Sequence, residues 1–307
     1  MNQRFLLLLC LFLLVGSSCL AQLRVNGSLF MPDSVPNRAR TIGVNSFIGG
    51  GYVISMTTLG LAWYADEDLG SFHFFDDSFE WKQMDKMGHA YGSFLTSSWF
   101  MGLNQWAGMP RRKAIVLGSL QGFLSVSSIE LFDAFGETWG FSWSDVAANA
   151  TGASLAVLNE SLWGEQRIMY KWNYLPSPYA GDPDFERLFG NNFAEWLLKD
   201  YNGQSYWLSL RVHSFLPESS FKDHYPKWLN LAVGYGAYGL EGGYDDPNGS
   251  WTTREYRQFY LSLDFDTSQI HTRSQTLNFL LGALNYIRIP LPTVRFDKYG
   301  VGMEAFR

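Results

Sequence analysis

The chain has 307 residues, of which 47% are apolar, 17% aromatic and 17% charged. That length supplies ample material for a buried core, and a composition so rich in Trp, Tyr and Phe excludes an intrinsically disordered chain. A formal net charge of -6, with no Lys/Arg run longer than Arg111-Arg112-Lys113, argues against a nucleic-acid footprint, because neutralising phosphates needs grouped cations. A mean hydropathy of -0.10 is too polar for a chain made wholly of membrane spans.

Arg4 precedes an apolar run from Phe5 to Val15, and the small residues Gly16 to Ala21 follow before Gln22. The run is too short to span a bilayer and reads as a secretory signal peptide over residues 1–21, cut after Ala21. Lipidation of Cys19 is the alternative, against which the Gly16-Ser17-Ser18 stretch lacks the Leu wanted three residues before the cysteine. Cys10 and Cys19 both fall in this segment, so its removal excludes disulfides, CxxC zinc sites and a cysteine nucleophile together.

Thr41 to Tyr64 and Ala90 to Pro110 carry no charge and are long enough to cross hydrocarbon; Ala114 to Ile129 and Val146 to Asn159 are shorter and read as buried or interfacial helices. Asp77 with Glu80, and Ser142 with Asp145, match capping-box spacing and predict helix starts near 78 and 143. Beyond Gly164 the period changes. Residues 206, 208, 210 and 212 share one face of a strand, and Phe259, Leu261, Leu263 and Phe265 share a face from which Tyr260, Ser262 and Asp264 point away. Trp228 to Gly243 adds another strand, and Thr276 to Tyr286 a short helix. Ile289-Pro290-Leu291-Pro292 must be extended or at an edge. The expected fold is α+β: a membrane-associated bundle of about four helices over residues 22–163, then a strand-rich region over 164–307. About five strands are countable, and eight is the usual minimum for an outer-membrane barrel, which disfavours one.

Asp85, Gly88, His89 and Gly92 line one face of the second helix at i, i+3, i+4 and i+7; Asp145, Ala148, Asn149 and Gly152 repeat the spacing on the fourth. Ser119, Gly122, Val126, Glu130 and Asp133 fall along one face of the third, with Gly118 and Gly122 forming a GxxxG. Small residues let helix backbones approach, so the three stripes are expected to turn Asp85, His89, Glu130, Asp133, Asp145 and Asn149 toward one interior point. Buried carboxylates need protons, Lys86, Arg111 or a cation to offset them. A divalent metal on His89, Asp85, Glu130 and Asp133 suits one imidazole with carboxylate oxygens. Catalysis would run through His89, Asp85, Glu130 and Asp145, with His89 as a general base oriented by Asp85 or with a metal-bound water, and Asn149 and Lys86 as polar support. The structural alternative is that Asp85 and Asp145 serve helix starts while Glu130 and Asn149 join helices. His73 sits in an aromatic, acidic loop. Asp200-Tyr201-Asn202-Gly203-Gln204 is a turn before a strand. No phosphate loop, GxGxxG, HExxH or GxSxG is present.

The run from Phe72-His73-Phe74-Phe75-Asp76-Asp77 through Glu80-Trp81-Lys82-Gln83-Met84-Asp85-Lys86-Met87-Gly88-His89, with Glu130-Leu131-Phe132-Asp133, Trp139 to Asp145, Asn149 and Gly152, resembles the YfiM-like predicted periplasmic lipoproteins, a family of unknown function. Asp200 to Ser209 is similar to its longer members in two-membrane bacteria. Asp85, Lys86, His89, Glu130, Asp145, Asn149 and Gly152 also follow the order of the VanZ-like membrane proteins, without the Gln and Arg expected between Glu and Asp. The resemblance implies export to the periplasm or to the inner or outer membrane, a polar helical core, and no established reaction. The expected function is therefore that of a cell-envelope protein in contact with membrane lipid or another envelope component. A metal-dependent hydrolase or transferase acting on a lipid-linked or cell-wall substrate is the alternative.

Overall fold

The computed structural model describes residues 31–63, 68–243 and 255–307, so the expected signal peptide, residues 1–21, lies outside the described residues. The fold is α+β, with helices in the N-terminal half and a six-stranded antiparallel sheet in the C-terminal half. Two compact units form: the first runs to Asp77 and resumes over Gly92–Leu162, and the second holds Ser78–Tyr91 and Trp163–Arg307.

The first unit contains α1 (Arg38–Trp63), the later part of α2 (Met84–Trp106), α3 (Arg111–Ser127), α4 (Ile129–Asp133) and α5 (Trp143–Trp163). Arg40 ties the start of α1 down. Its guanidinium donates to the carbonyls of Met31 and Trp106, pairs with Asp33 at 3.2 Å and lies 4.3 Å from the Trp106 ring centroid. Val44, Ile48 and Ala107 form a core against Phe47, Phe100, Leu103 and Trp106. The GxxxG of α3 is a true crossing point: a Cβ at Gly118 would lie 2.3 Å from the Met101 amide nitrogen, and one at Gly122 would lie 2.4 Å from that of Ser97. Only glycine allows so close an approach of backbones.

Two local expectations change. The third helix is interrupted by a turn at Ser128, whose backbone stays in the right-handed helical region (φ -69°, ψ -15°), so Glu130 and Asp133 follow on the short helix α4. The helix expected near 78 begins at Met84, after a 3-10 turn over Glu80–Gln83 in which Trp81, Lys82 and Gln83 have φ of 50, 51 and 65°. Asp77 does not cap it, because its carboxylate accepts the hydroxyls of Ser142 and Ser144, each at 2.6 Å. At the other predicted start, Ser142 Oγ does accept the Asp145 amide at 3.1 Å, and α5 begins at Trp143.

In the second unit the sheet runs in sequence order: β1 (Ile168–Tyr174), β2 (Gln204–Leu210), β3 (Leu229–Tyr238), β4 (Tyr256–Phe265), β5 (Thr293–Asp297) and β6 (Gly300–Glu304). Helix α6 (Gln275–Leu284) lies between β4 and β5. Register places Leu208, Val233, Leu261, Val294 and Met303 in one row across β2 to β6. The alternation expected from sequence is present, but its burial is inverted. Phe259, Leu261 and Leu263 are exposed, whereas Gln258, Tyr260, Ser262 and Asp264 are buried. On the inward side Lys171 Nζ meets Asp264 Oδ2 at 2.7 Å, with the two side chains 1% and 0% exposed. Trp207 fits there because Gly234 has no Cβ, which would otherwise lie 2.6 Å from the indole ring.

The helix crossing gives a paired prediction. Gly122→Val forces α3 off Ser97 and is expected to cost about 1–3 kcal/mol as overpacking. Gly102→Ala, where an added methyl meets nothing within 4 Å, is expected to gain up to about 1 kcal/mol of helix propensity. Thermal midpoints moving in opposite directions would bear out the crossing; equal shifts would not.

Candidate polar centres

The sequence-derived residues divide between the units. Asp85, Lys86 and His89 lie in the second, whereas Glu130, Asp133, Asp145 and Asn149 lie in the first.

In the second unit, the left-handed turn that presents Asp85 is clamped from several sides. The Tyr235 hydroxyl donates to the Lys82 carbonyl, Lys82 Nζ pairs with Glu255 at 3.2 Å, and Arg257 donates to the Gln83 side chain at 2.6 Å. The Trp81 ring lies edge-on to those of Tyr201 and Phe189, and its amide donates to the Gly243 carbonyl. Non-glycine residues at positive φ cost of order 1–3 kcal/mol each, so such clamping is what holds the turn.

From this turn Asp85 Oδ1 accepts the Tyr201 hydroxyl at 2.9 Å and Oδ2 accepts Lys86 Nζ at 3.0 Å, while His89 Nε2 lies 3.8 Å from the same Oδ2. Gly88 keeps room for Tyr206, whose hydroxyl oxygen would be 3.0 Å from an added Cβ and itself donates to Gln204 Oε1 at 2.7 Å. Tyr170 donates to the Met87 carbonyl at 3.2 Å. Sequence reasoning missed these tyrosines as partners, although the Asp200–Gln204 turn had marked the position of Tyr201. Chemically the cluster is a carboxylate held between an ammonium, a phenol and an imidazole. Asp85 and His89 are both metal-ligand types, but Lys86 already supplies positive charge to the oxygen that they would share.

In the first unit, Glu130 is buried and its Oε2 accepts the Ser142 amide at 3.1 Å, linking α4 to the start of α5. Asp145 and Asn149 are buried on α5, one turn apart. The hydroxyl of Ser142 joins Asp77 to the Asp145 amide, so this centre is built around a helix start. Asp133 lies half-buried at the end of α4. His73 Nδ1 lies 3.1 Å from the Ser71 carbonyl, in a loop where Phe72, Phe74, Phe141 and Trp143 pack ring to ring.

Burial pushes the Asp85 carboxyl up, but the charges of His89 and Lys86 and the hydrogen bonds from Lys86 and Tyr201 outweigh it and hold the group below its usual range. The unfolded chain takes up this proton more readily than the folded one. The stability contributed by Asp85 is therefore present above the ordinary carboxylate range and is lost as pH falls through the depressed folded value. Asp85→Asn is expected to remove that part of the acid-side loss: urea midpoints of the two chains would differ most near neutral pH and converge in acid. A gap that stays constant with pH would show that Asp85 carries no such linkage.

Residues 73–161 match the family model described as predicted periplasmic lipoprotein (DUF2279). No curated protein and no solved structure matches the chain. The matched stretch contains α2 to α4 and most of α5, with both polar centres' helical residues, and leaves the sheet outside it. The likeness to predicted periplasmic lipoproteins of unknown function is thus borne out over residues 73–161, and it is consistent with an exported envelope protein.

Proposed function

We propose that the protein works as a membrane-associated component of the cell envelope, in which the two polar centres organise helices and turns. The observation that supports this is the two-sidedness of α3. Gly118 and Gly122 face a neighbouring helix, while Val116, Leu120 and Leu124 are exposed at helical spacing. The stretch Arg111–Asp133, which is α3 followed by α4, holds an 18-residue window of mean hydropathy 1.5 and is long and apolar enough to cross a membrane; among the described residues it meets that standard, and the uncharged but Gly-, Ser- and Asn-bearing stretches 41–64 and 90–110 do not. Exposed apolar stripes of this kind mark a lipid or protein contact. Carbonate extraction tests the reading, with Cys19→Ala included because that chain cannot be acylated. Retention of both chains in the membrane pellet is expected. Release of the Cys19→Ala chain alone would assign membrane attachment to a lipid anchor and overturn a role for the helical surface.

A second reading rests on the 3.8 Å approach of His89 to Asp85. A divalent cation that displaced the Lys86 ammonium would find an imidazole nitrogen and a carboxylate oxygen on consecutive turns of α2, as a metal-dependent hydrolase or transferase of a lipid-linked or cell-wall substrate requires. Metal analysis of the purified chain and of His89→Ala decides it. Stoichiometric metal lost in the variant supports a metal centre; substoichiometric metal unchanged by the substitution leaves the cluster as a charge-balanced anchor.

A further inference from the structure

The sheet of the second unit is built the wrong way round for water. A water-facing antiparallel sheet hides its apolar side and shows its polar side. Here Leu231, Val233, Leu261 and Leu263 are exposed, while Lys171, Asn230, Ser209 and Asp264 are buried on the other side. Such alternation, apolar outward and polar inward, is the arrangement of strands whose outer surroundings are hydrocarbon.

Three further features point the same way. β3 and β4 have 10 residues each, within the roughly 9–11 that a tilted strand needs to cross a bilayer core. The outward side of these two strands carries no charge from Leu229 and Phe265 as far as Tyr235 and Phe259; the first charged residue is Arg257. Aromatic pairs mark both limits of this band, with Trp228 stacked on Phe265 at 5.3 Å and Tyr235 beside Phe259 at 5.5 Å, as in interfacial belts.

Free edge amides would make lipid contact costly, and the edges of this sheet are partly covered. The Trp172 amide on β1 donates to the Tyr286 carbonyl, and the Arg288 amide donates back to the Trp172 carbonyl. Three residues on, Leu291 and Arg307 exchange backbone hydrogen bonds just beyond β6. The segment 286–291 thus links the first strand's edge to the end of the last.

We propose that the outward face of β2 to β6, in the part that Leu208, Leu231, Val233, Leu261, Leu263 and Met303 leave exposed and not where Tyr206 packs against Gly88, lies against the acyl chains of a phospholipid bilayer. A second copy of the chain is the rival occupant, but self-association gives no reason for an uncharged band over residues 229–235 and 259–265 with aromatics at both limits. The proposal rests on the membrane reading above for its setting, and on different residues for its argument.

The test uses the full chain with Leu261→Cys or Val233→Cys carrying a bimane label, reconstituted into phosphatidylcholine–phosphatidylglycerol vesicles whose acyl chains are brominated or not. Glu218→Cys, on an exposed side chain outside the sheet, is the water-facing reference, and the parent chain measures background label on Cys10 and Cys19. Brominated chains are expected to remove most of the emission at 261 and 233 and little of it at 218. Emission at 261 and 233 unaffected by bromine, while the protein floats with the vesicles, would overturn the lipid-facing sheet and leave the membrane reading standing. Cross-linking between copies through 261 without quenching would overturn it in favour of self-association. Failure to float with vesicles at all would remove both readings.

Discussion

Lys171 and Asp264 meet at 2.7 Å on a side of the sheet that solvent does not reach, and the second unit is organised around that pair. Removing both charges from water costs several kcal/mol per ion, a cost met only where geometry and extra hydrogen bonds are good. Those bonds are present: Lys171 also donates to the Phe265 carbonyl at 2.7 Å, and Asp264 Oδ2 accepts the Ser209 hydroxyl at 2.6 Å, which in turn accepts from Asn230. The two ions lie on β1 and β4, which do not pair with each other, so the contact fixes the sheet across its inward side. Slipping β1 or β4 by one residue would turn a charge outward and an apolar side chain inward, which makes the pair a register lock as well as a bond.

The Asp85 cluster solves a related problem by another route. Its carboxylate is balanced by its sequence neighbour Lys86 and by a phenol from a distant turn, and it is presented by a backbone that three successive non-glycine residues hold left-handed. Tyr235 on β3, Arg257 on β4 and Glu255 just before β4 all act on that turn, so its conformation is imposed by the sheet and its margin. The ammonium and the phenol each take one oxygen of the carboxylate, which is the physical support for the anchoring role.

Much of the architecture was legible from periodicity. Helical runs before Gly164, alternation after it, and the Ser142–Asp145 cap all reappear in the structure. What alternation could not state was which side faces inward, since period 2 assigns faces and says nothing about their surroundings. β1 escaped notice because Lys171 and Asn173 on one side argue for exposure, yet both are buried. The left-handed turn was illegible because Trp81, Lys82 and Gln83 carry no glycine signal. Asp85 and His89 could be paired from helix spacing, but Tyr201, 116 residues away, could be joined to them only by the fold. Glu130 and Asp133 were given the right polarity, but the turn at Ser128 that sets them on α4 was illegible, because nothing between Ser127 and Ile129 interrupts the apolar pattern.

The inward side of the sheet is a packed polar core and not an open channel, and one glycine shows why. Without a Cβ at Gly234, the Trp207 ring settles directly over β3, stacks with Tyr260 at 5.3 Å and receives the Arg288 guanidinium 3.6 Å from its centroid. Trp207 and Arg288 are almost wholly buried, so the space beside the Lys171–Asp264 pair is filled with ring and guanidinium atoms. Cation–ring contact of this kind strengthens when water is excluded. A sheet whose interior is already filled by its own charges and by the Trp207, Ala232 and Tyr260 cluster has no space there for the exposed leucines, which fits the lipid contact proposed for them.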